Sequence, residues 1–123
     1  MGKRILIVDD EEFFIQPIKI LLERNGYEIH IASDGMSGLQ KARVVNPDLI
    51  MLDLMLPGID GYQICRLLKF DEKFKNIPVV IVSAKDSEHD RLLGIKSGAD
   101  AYITKPLNPS ELLSEFNKLL AVA

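Results

Sequence analysis

Five short apolar runs punctuate the chain, and between them the hydrophobic residues recur at helical spacing. Arg4 to Val8 is a continuous apolar run that stops at Asp9-Asp10, as expected for a strand buried on both faces. From about Glu12 the spacing becomes Phe13, Phe14, Ile18, Leu21 and Leu22, a helical period that closes at Asn25-Gly26. Pro17 lies inside that helix and removes one backbone donor, so its first turns should bend or fray. Tyr27 to Ala32 reads as a second strand. Ser33-Asp34-Gly35 opens a helix running to about Val45, which Asn46-Pro47-Asp48 ends. The third strand runs from Leu49 to Asp53, and after the Leu56-Pro57-Gly58 loop a helix covers about Gly61 to Phe70. Asp71 to Asn76 is a charged connector. Val79 to Ser83 is the most β-branched run and the best candidate for a central strand. A helix from about Ser87 to Lys96 ends at Ser97-Gly98, a short fifth strand covers Ala101 to Ile103, and Asn108-Pro109-Ser110-Glu111 starts the last helix with a cap and an N1 proline.

Apolar strands alternating with helices predict a parallel sheet covered on both faces, an α/β doubly wound fold of five strands and five helices. In such sheets the ligand site lies beyond the carboxyl ends of the strands, where the strand order switches. That rule sorts the polar residues. The runs end in Asp9-Asp10, Asp53, Ser83 and Thr104-Lys105, so one rim should collect three carboxylates, a hydroxyl and an ammonium.

Composition narrows the setting. The 123 residues suffice for one domain with a full core, residues 1–123. With 47% apolar and 27% charged residues the chain has the make-up of a globular protein, and no run approaches the length needed to span a bilayer. Asp9, Asp10, Glu11 and Glu12 interrupt the first apolar run too early for a signal peptide, which argues against export. The single cysteine, Cys65, excludes an internal disulfide and fits a reducing, cytoplasmic setting. A net charge of −3 with scattered Lys and Arg argues against direct nucleic-acid binding. His30 and His89 lack metal-like spacing and are expected to be solvated.

Asp53 is the awkward residue, because it sits within the apolar run Leu49 to Leu56 and an unpaired buried charge is costly. Three carboxylates gathered at one rim repel, and a hard divalent cation with oxygen ligands, Mg²⁺, is the cheapest remedy. Mg²⁺ also binds phosphate oxygens, and a nearby Lys and Ser complete a cradle for a tetrahedral dianion. With no His or Cys at a strand end, the nucleophile would be a carboxylate, and Asp53 on the middle acidic strand is the natural candidate.

Four motifs in order carry a family resemblance: Ile5-Leu6-Ile7-Val8-Asp9-Asp10-Glu11, Asp53-Leu54-Met55-Leu56-Pro57-Gly58-Ile59-Asp60-Gly61, Pro78-Val79-Val80-Ile81-Val82-Ser83-Ala84 and Gly98-Ala99-Asp100-Ala101-Tyr102-Ile103-Thr104-Lys105-Pro106. Over essentially its whole length the chain resembles the receiver domain of two-component response regulators, including the chemotaxis response regulator. The resemblance implies a flavodoxin-like sheet of order 2-1-3-4-5 and a phosphorylation-controlled signalling switch rather than an enzyme. Asp53 would be the phosphoacceptor, taking a phosphoryl group from the phosphohistidine of a sensor histidine kinase or histidine phosphotransfer protein. Mg²⁺ would be held by Asp10, Asp53 and the backbone carbonyl of Met55, with Asp9 acting through water. Ser83 and Lys105 would contact the phosphoryl oxygens, Ser83 and Tyr102 would form the switch, and Lys105-Pro106 would carry a cis peptide. A downstream protein target would read the surface of the fourth helix, fifth strand and fifth helix; no membrane partner is implied.

The rival class is a Mg²⁺-dependent aspartyl-phosphate phosphatase of the haloacid dehalogenase type, which needs a second acid two residues after the nucleophile, where Met55 stands. A flavin carrier is disfavoured because Asp-Asp-Glu-Glu after the first strand would repel a phosphate, and a pseudo-receiver because no member of the acceptor set is missing. Arg91 and Glu111 match one ion pair of a dimer interface found in DNA-binding regulators, but Ala101 and Glu115 break a second pair, so a monomer or weak dimer is expected. The chain ends in Leu119-Leu120-Ala121-Val122-Ala123 without a linker, and both a stand-alone regulator and a receiver within a longer protein remain open.

Overall fold

The computed structural model describes residues 2–121; the ends of the expected 1–123 domain, including Val122 and Ala123, lie outside them. Five strands alternate with five helices: β1 Arg4–Val8, α1 Glu12–Arg24, β2 Glu28–Ala32, α2 Gly35–Val45, β3 Leu49–Leu52, α3 Gly61–Phe70, β4 Val79–Ser83, α4 Glu88–Lys96, β5 Ala101–Thr104 and α5 Pro109–Leu120. All pairings are parallel, in the order β2-β1-β3-β4-β5. The expected α/β architecture and strand order both hold.

Alternation along each strand builds two cores. Leu6 and Val8 of β1 join Ile50 and Leu52 of β3 and Ile81 of β4 on one face, against Ala42 of α2 and Ile64, Cys65 and Leu68 of α3. Ile5, Ile7, Met51, Val80 and Val82 point the other way, onto Ile15, Ile18 and Leu22 of α1 and Leu112 and Phe116 of α5. Successive residues of a strand face opposite sides, so an unbroken apolar run is what a sheet covered on both faces requires. Burial of Cys65 pushes its thiol up to about 11, in keeping with a packing residue.

Helix ends follow local chemistry. The side chains of Asp34, Asp60, Ser87 and Asn108 each accept a backbone N–H from the first turn of α2, α3, α4 and α5. Pro109 takes the first-turn place expected of it, and Gly26 takes a φ of +90° past the end of α1. α1 runs unbroken through Pro17.

Several details depart from the sequence reading. Leu52 is the last residue of β3 and Asp53 the first beyond it, while β5 extends to Thr104 and β2 begins at Glu28. The charged connector buries Phe74 in the core, with Arg43 and Lys73 over its ring. His30 is not simply solvated, because its Nε2 lies 2.6 Å from Glu28 Oε2. His89 is exposed, as expected.

Candidate functional site

The strand order reverses between β1 and β3, and the chain places its acids there. Asp9 N–H donates to Ala32 O and Asp53 N–H to Val8 O, at 3.0 Å each, so the backbone of both acids continues the ladders one step past the strands. Gly61 lets the start of α3 close over this point: a Cβ there would lie 2.5 Å from Leu54 Cα and 2.6 Å from Asp53 O, which excludes any larger residue without backbone movement.

One carboxylate oxygen from each of Asp9, Asp10 and Asp53 falls within 4.8 Å of the others. Asp9 and Asp53 are buried and Asp10 is exposed. Asp53 Oδ1 accepts the Met55 N–H at 3.1 Å, whereas Oδ2 is buried with no hydrogen-bond partner. Lys105, whose side chain is 9% exposed, holds its ammonium 3.6 Å from that oxygen. It donates instead to Asp9 Oδ2 at 3.0 Å and to Glu11 Oε1 at 2.8 Å. The other Asp9 oxygen accepts the Glu11 N–H at 2.9 Å.

The electrostatics follow from burial and like charge. Burial holds both Asp9 and Asp53 above the usual carboxylate range; for Asp53 the neighbouring Asp9 adds to this, while the Met55 N–H and the Lys105 charge oppose it. Burial alone would lower Lys105, but its hydrogen bonds to Glu11 and Asp9 and the charge of Asp53 hold it above the usual lysine value. An unpartnered buried carboxylate oxygen beside two further acids is an arrangement that a divalent cation would relieve. The donor set, all oxygen, suits Mg²⁺.

Ser83, at the end of β4, is fully buried, and its Oγ accepts the Lys85 N–H at 3.2 Å. The Ser83 carbonyl accepts the Lys105 N–H at 2.8 Å, which ties β4 to the residue at the cis Lys105-Pro106 peptide. One tyrosine grips the loop that follows and another the first turn of α4. Tyr102 Oη donates to the Lys85 carbonyl at 2.7 Å and Tyr62 Oη to the Asp90 carbonyl at 3.2 Å. Burial, with Tyr102 and Asp90 nearby, pushes the Tyr62 hydroxyl up to about 12.

The structure thus gathers Asp9, Asp10, Asp53, Met55 N–H and Lys105 at one point, and links Ser83 to Tyr102 through residue 85. The sequence reading missed Glu11 and Phe14 as neighbours of Lys105, although Glu11 stood within the first motif. The ammonium sits 4.1 Å from the Phe14 ring centroid. No second acid accompanies Asp53 two residues on, where the side chain is that of exposed Met55, so the phosphatase alternative finds no support.

Comparison with known proteins agrees with this geometry. The response regulator receiver domain model matches residues 5–117. The chain is 43% identical over 120 residues to the alkaline phosphatase synthesis transcriptional regulatory protein PhoP of Bacillus subtilis, covering 98% of this chain and 49% of that protein. It is 44% identical over 117 residues to the DNA-binding dual master transcriptional regulator RpaA of Synechocystis, covering 95% of this chain and 48% of that protein. The chain therefore spans about half the length of these curated relatives. Among solved structures, a CheY-like response regulator receiver domain protein from Methanospirillum hungatei superposes with a TM-score of 0.90 at 32% identity, covering 98% and 95% of the two chains. The receiver domain of the sensor histidine kinase PA1611 from Pseudomonas aeruginosa, with a magnesium ion coordinated in its active site cleft, superposes with a TM-score of 0.90 at 26% identity, covering 98% and 99%. Relatives named as DNA-binding regulators leave the expected absence of a nucleic-acid partner unsupported for a protein of this kind, because the charge argument bears on these residues alone. Among the described residues, no helix is long and apolar enough to cross a membrane.

Proposed function

The chain belongs to the response regulator receiver domain family, and from that premise we propose that Asp53 is the residue that accepts the phosphoryl group. The observation that carries the assignment is the buried Asp53 Oδ2, without a hydrogen-bond partner, facing Asp9, Asp10 and Lys105. In the proposed reaction an Asp53 carboxylate oxygen attacks phosphorus, the P–N bond to a partner's phosphohistidine breaks, and the imidazole leaves with its electron pair to be protonated. Lys105 and Ser83 supply the donors that meet the phosphoryl oxygens. Asp10, Asp53 and the Met55 carbonyl would hold Mg²⁺, with Asp9, whose two oxygens are already engaged by Lys105 and Glu11, acting through water. Once bound there, Mg²⁺ would neutralise the charge that develops on the phosphoryl oxygens.

The switch follows from what Ser83 gives up. Turning its Oγ toward a phosphoryl group releases the Lys85 N–H, and the Lys85 carbonyl is the acceptor of Tyr102, so the event at Asp53 reaches the surface formed by α4, β5 and α5. The domain promotes only its own phosphorylation and dephosphorylation. It works in the cytoplasm as a monomer or weak dimer, with a histidine kinase or phosphotransfer protein upstream and a protein target downstream.

Acetyl phosphate or beryllofluoride with Mg²⁺ should shift the amide resonances around Asp53, Ser83 and Tyr102 in the wild type and leave Asp53→Asn unmoved. A silent wild type, or an Asn variant that responds equally, would remove Asp53 from the acceptor role.

A further inference from the structure

Lys105 is the cation nearest the proposed acceptor oxygen, yet in this structure its hydrogen bonds go elsewhere. Its ammonium donates to Glu11 Oε1 at 2.8 Å and to Asp9 Oδ2 at 3.0 Å, while Asp53 Oδ2 remains at 3.6 Å with no partner. The Phe14 ring, 4.1 Å away, supplies a third and uncharged neighbour. Glu11 and Phe14 both come from the start of α1. The Glu11 side chain is more than half exposed and, although Glu11 stands at the N-cap of α1, makes no capping hydrogen bond, so Lys105 is its hydrogen-bond partner.

We propose that Glu11 is a positioning residue that holds Lys105 off Asp53 in the unphosphorylated protein and competes with the phosphoryl group for it. The inference rests on the assignment of Asp53 as acceptor. A phosphoryl group brings close to two negative charges and three strong acceptor oxygens, against the single charge of a solvated carboxylate. Lys105 exchanges Glu11 for a phosphoryl oxygen and keeps Asp9, which is buried. Glu11 thereby sets a threshold, because every phosphorylated or mimic-bound molecule has had to give up the Glu11 contact. Because the Glu11 end of the pair is more than half exposed, solvent screening keeps its contribution small, so the threshold is tuned in small steps.

Two substitutions separate contact from charge. Glu11→Ala removes the carboxylate, and Glu11→Asp keeps the charge but shortens the arm by one methylene so that it no longer reaches Nζ. The probe is beryllofluoride with saturating Mg²⁺, titrated against the full chain. Both variants should bind it about two- to fivefold more tightly than the wild type, the range an exposed pair commands. In the unliganded protein both should also move the Lys105 side-chain ammonium resonance, which a residue serving only the fold would leave in place once melting shows the fold intact. Wild-type affinity in Glu11→Asp with tightening only in Glu11→Ala would overturn the latch in favour of bulk charge. Unchanged affinity in both would overturn it outright. If the wild type itself fails to bind the probe, the acceptor assignment fails first and the latch falls with it.

Discussion

Asp53→Asn should make the metal-free protein more stable. The wild-type side chain is 2% exposed, one of its oxygens has no hydrogen-bond partner, and it shares a 4.8 Å neighbourhood with Asp9 and Asp10. Leaving a buried polar atom unsatisfied costs about 1–3 kcal/mol. Two unit charges 4.8 Å apart add a repulsion of about 3 kcal/mol at an effective dielectric of 20. The attraction to Lys105 at 3.6 Å, about 4–5 kcal/mol at the same dielectric, is lost as well, so the Coulomb terms roughly cancel, although Lys105 keeps Asp9 and Glu11. Asn retains an oxygen for the Met55 N–H and turns an amide donor toward the remaining acids. The net expectation is a gain of about 1–3 kcal/mol, dominated by the unsatisfied oxygen. For a domain of this size each kcal/mol raises the midpoint by roughly 3–6 °C. Thermal melts in chelator, followed by circular dichroism, measure it. Repeating them in Mg²⁺ reverses the order of gain: at 100-fold its dissociation constant a ligand adds about 2.7 kcal/mol, and the wild type should collect more of this than the Asn variant. An Asn variant that melts below the wild type in chelator, or profits equally from Mg²⁺, would refute the reasoning.

Three further outcomes follow from the same geometry. Because burial holds Asp9 and Asp53 above their ordinary value of 3.8, the unfolded chain ionises first as pH rises, so metal-free stability should fall from pH 3.8 upward until both folded carboxyls have ionised. Melting midpoints against pH in chelator check this, and Asp53→Asn should flatten the decline; a rise over that limb would contradict it. Gly61→Ala puts a methyl against Leu54 Cα and Asp53 O, an overpacking against backbone that should cost about 1–3 kcal/mol and weaken beryllofluoride binding by displacing Asp53. A normal titration would show that α3 yields without disturbing the acceptor. Tyr102→Phe removes the bond to the Lys85 carbonyl and should cost about 0.5–1.5 kcal/mol, with beryllofluoride still bound but the resonance changes in β5 diminished. Lost binding would instead place Tyr102 in the acceptor chemistry.

Much of this molecule is legible along the chain. Apolar runs that stop at Asp9, Asp53, Ser83 and Lys105 announce buried parallel strands and put their polar ends on one rim, because a strand covered on both faces can become polar only where it leaves the sheet. The caps at Asp34, Asp60, Ser87 and Asn108 are equally local, each satisfying orphan donors a few residues away. The partners of Lys105 are not. Glu11 lies 94 residues earlier, and nothing in the period of either segment says which acid at the rim the ammonium will choose. Phe74, hidden in a charged stretch, escaped for the same reason, whereas His30 and Glu28 sit two apart on β2, a local contact that the strand period allows. Asp53, an aspartate in an apolar run, signals chemistry on its own, but that its second oxygen would be left without a partner while the nearest cation turned to Glu11 depends on the closure of the sheet. Periodicity records which face of its own element a residue occupies; the choice among competing partners is made only when distant elements close on one another and fix the distances between their side chains.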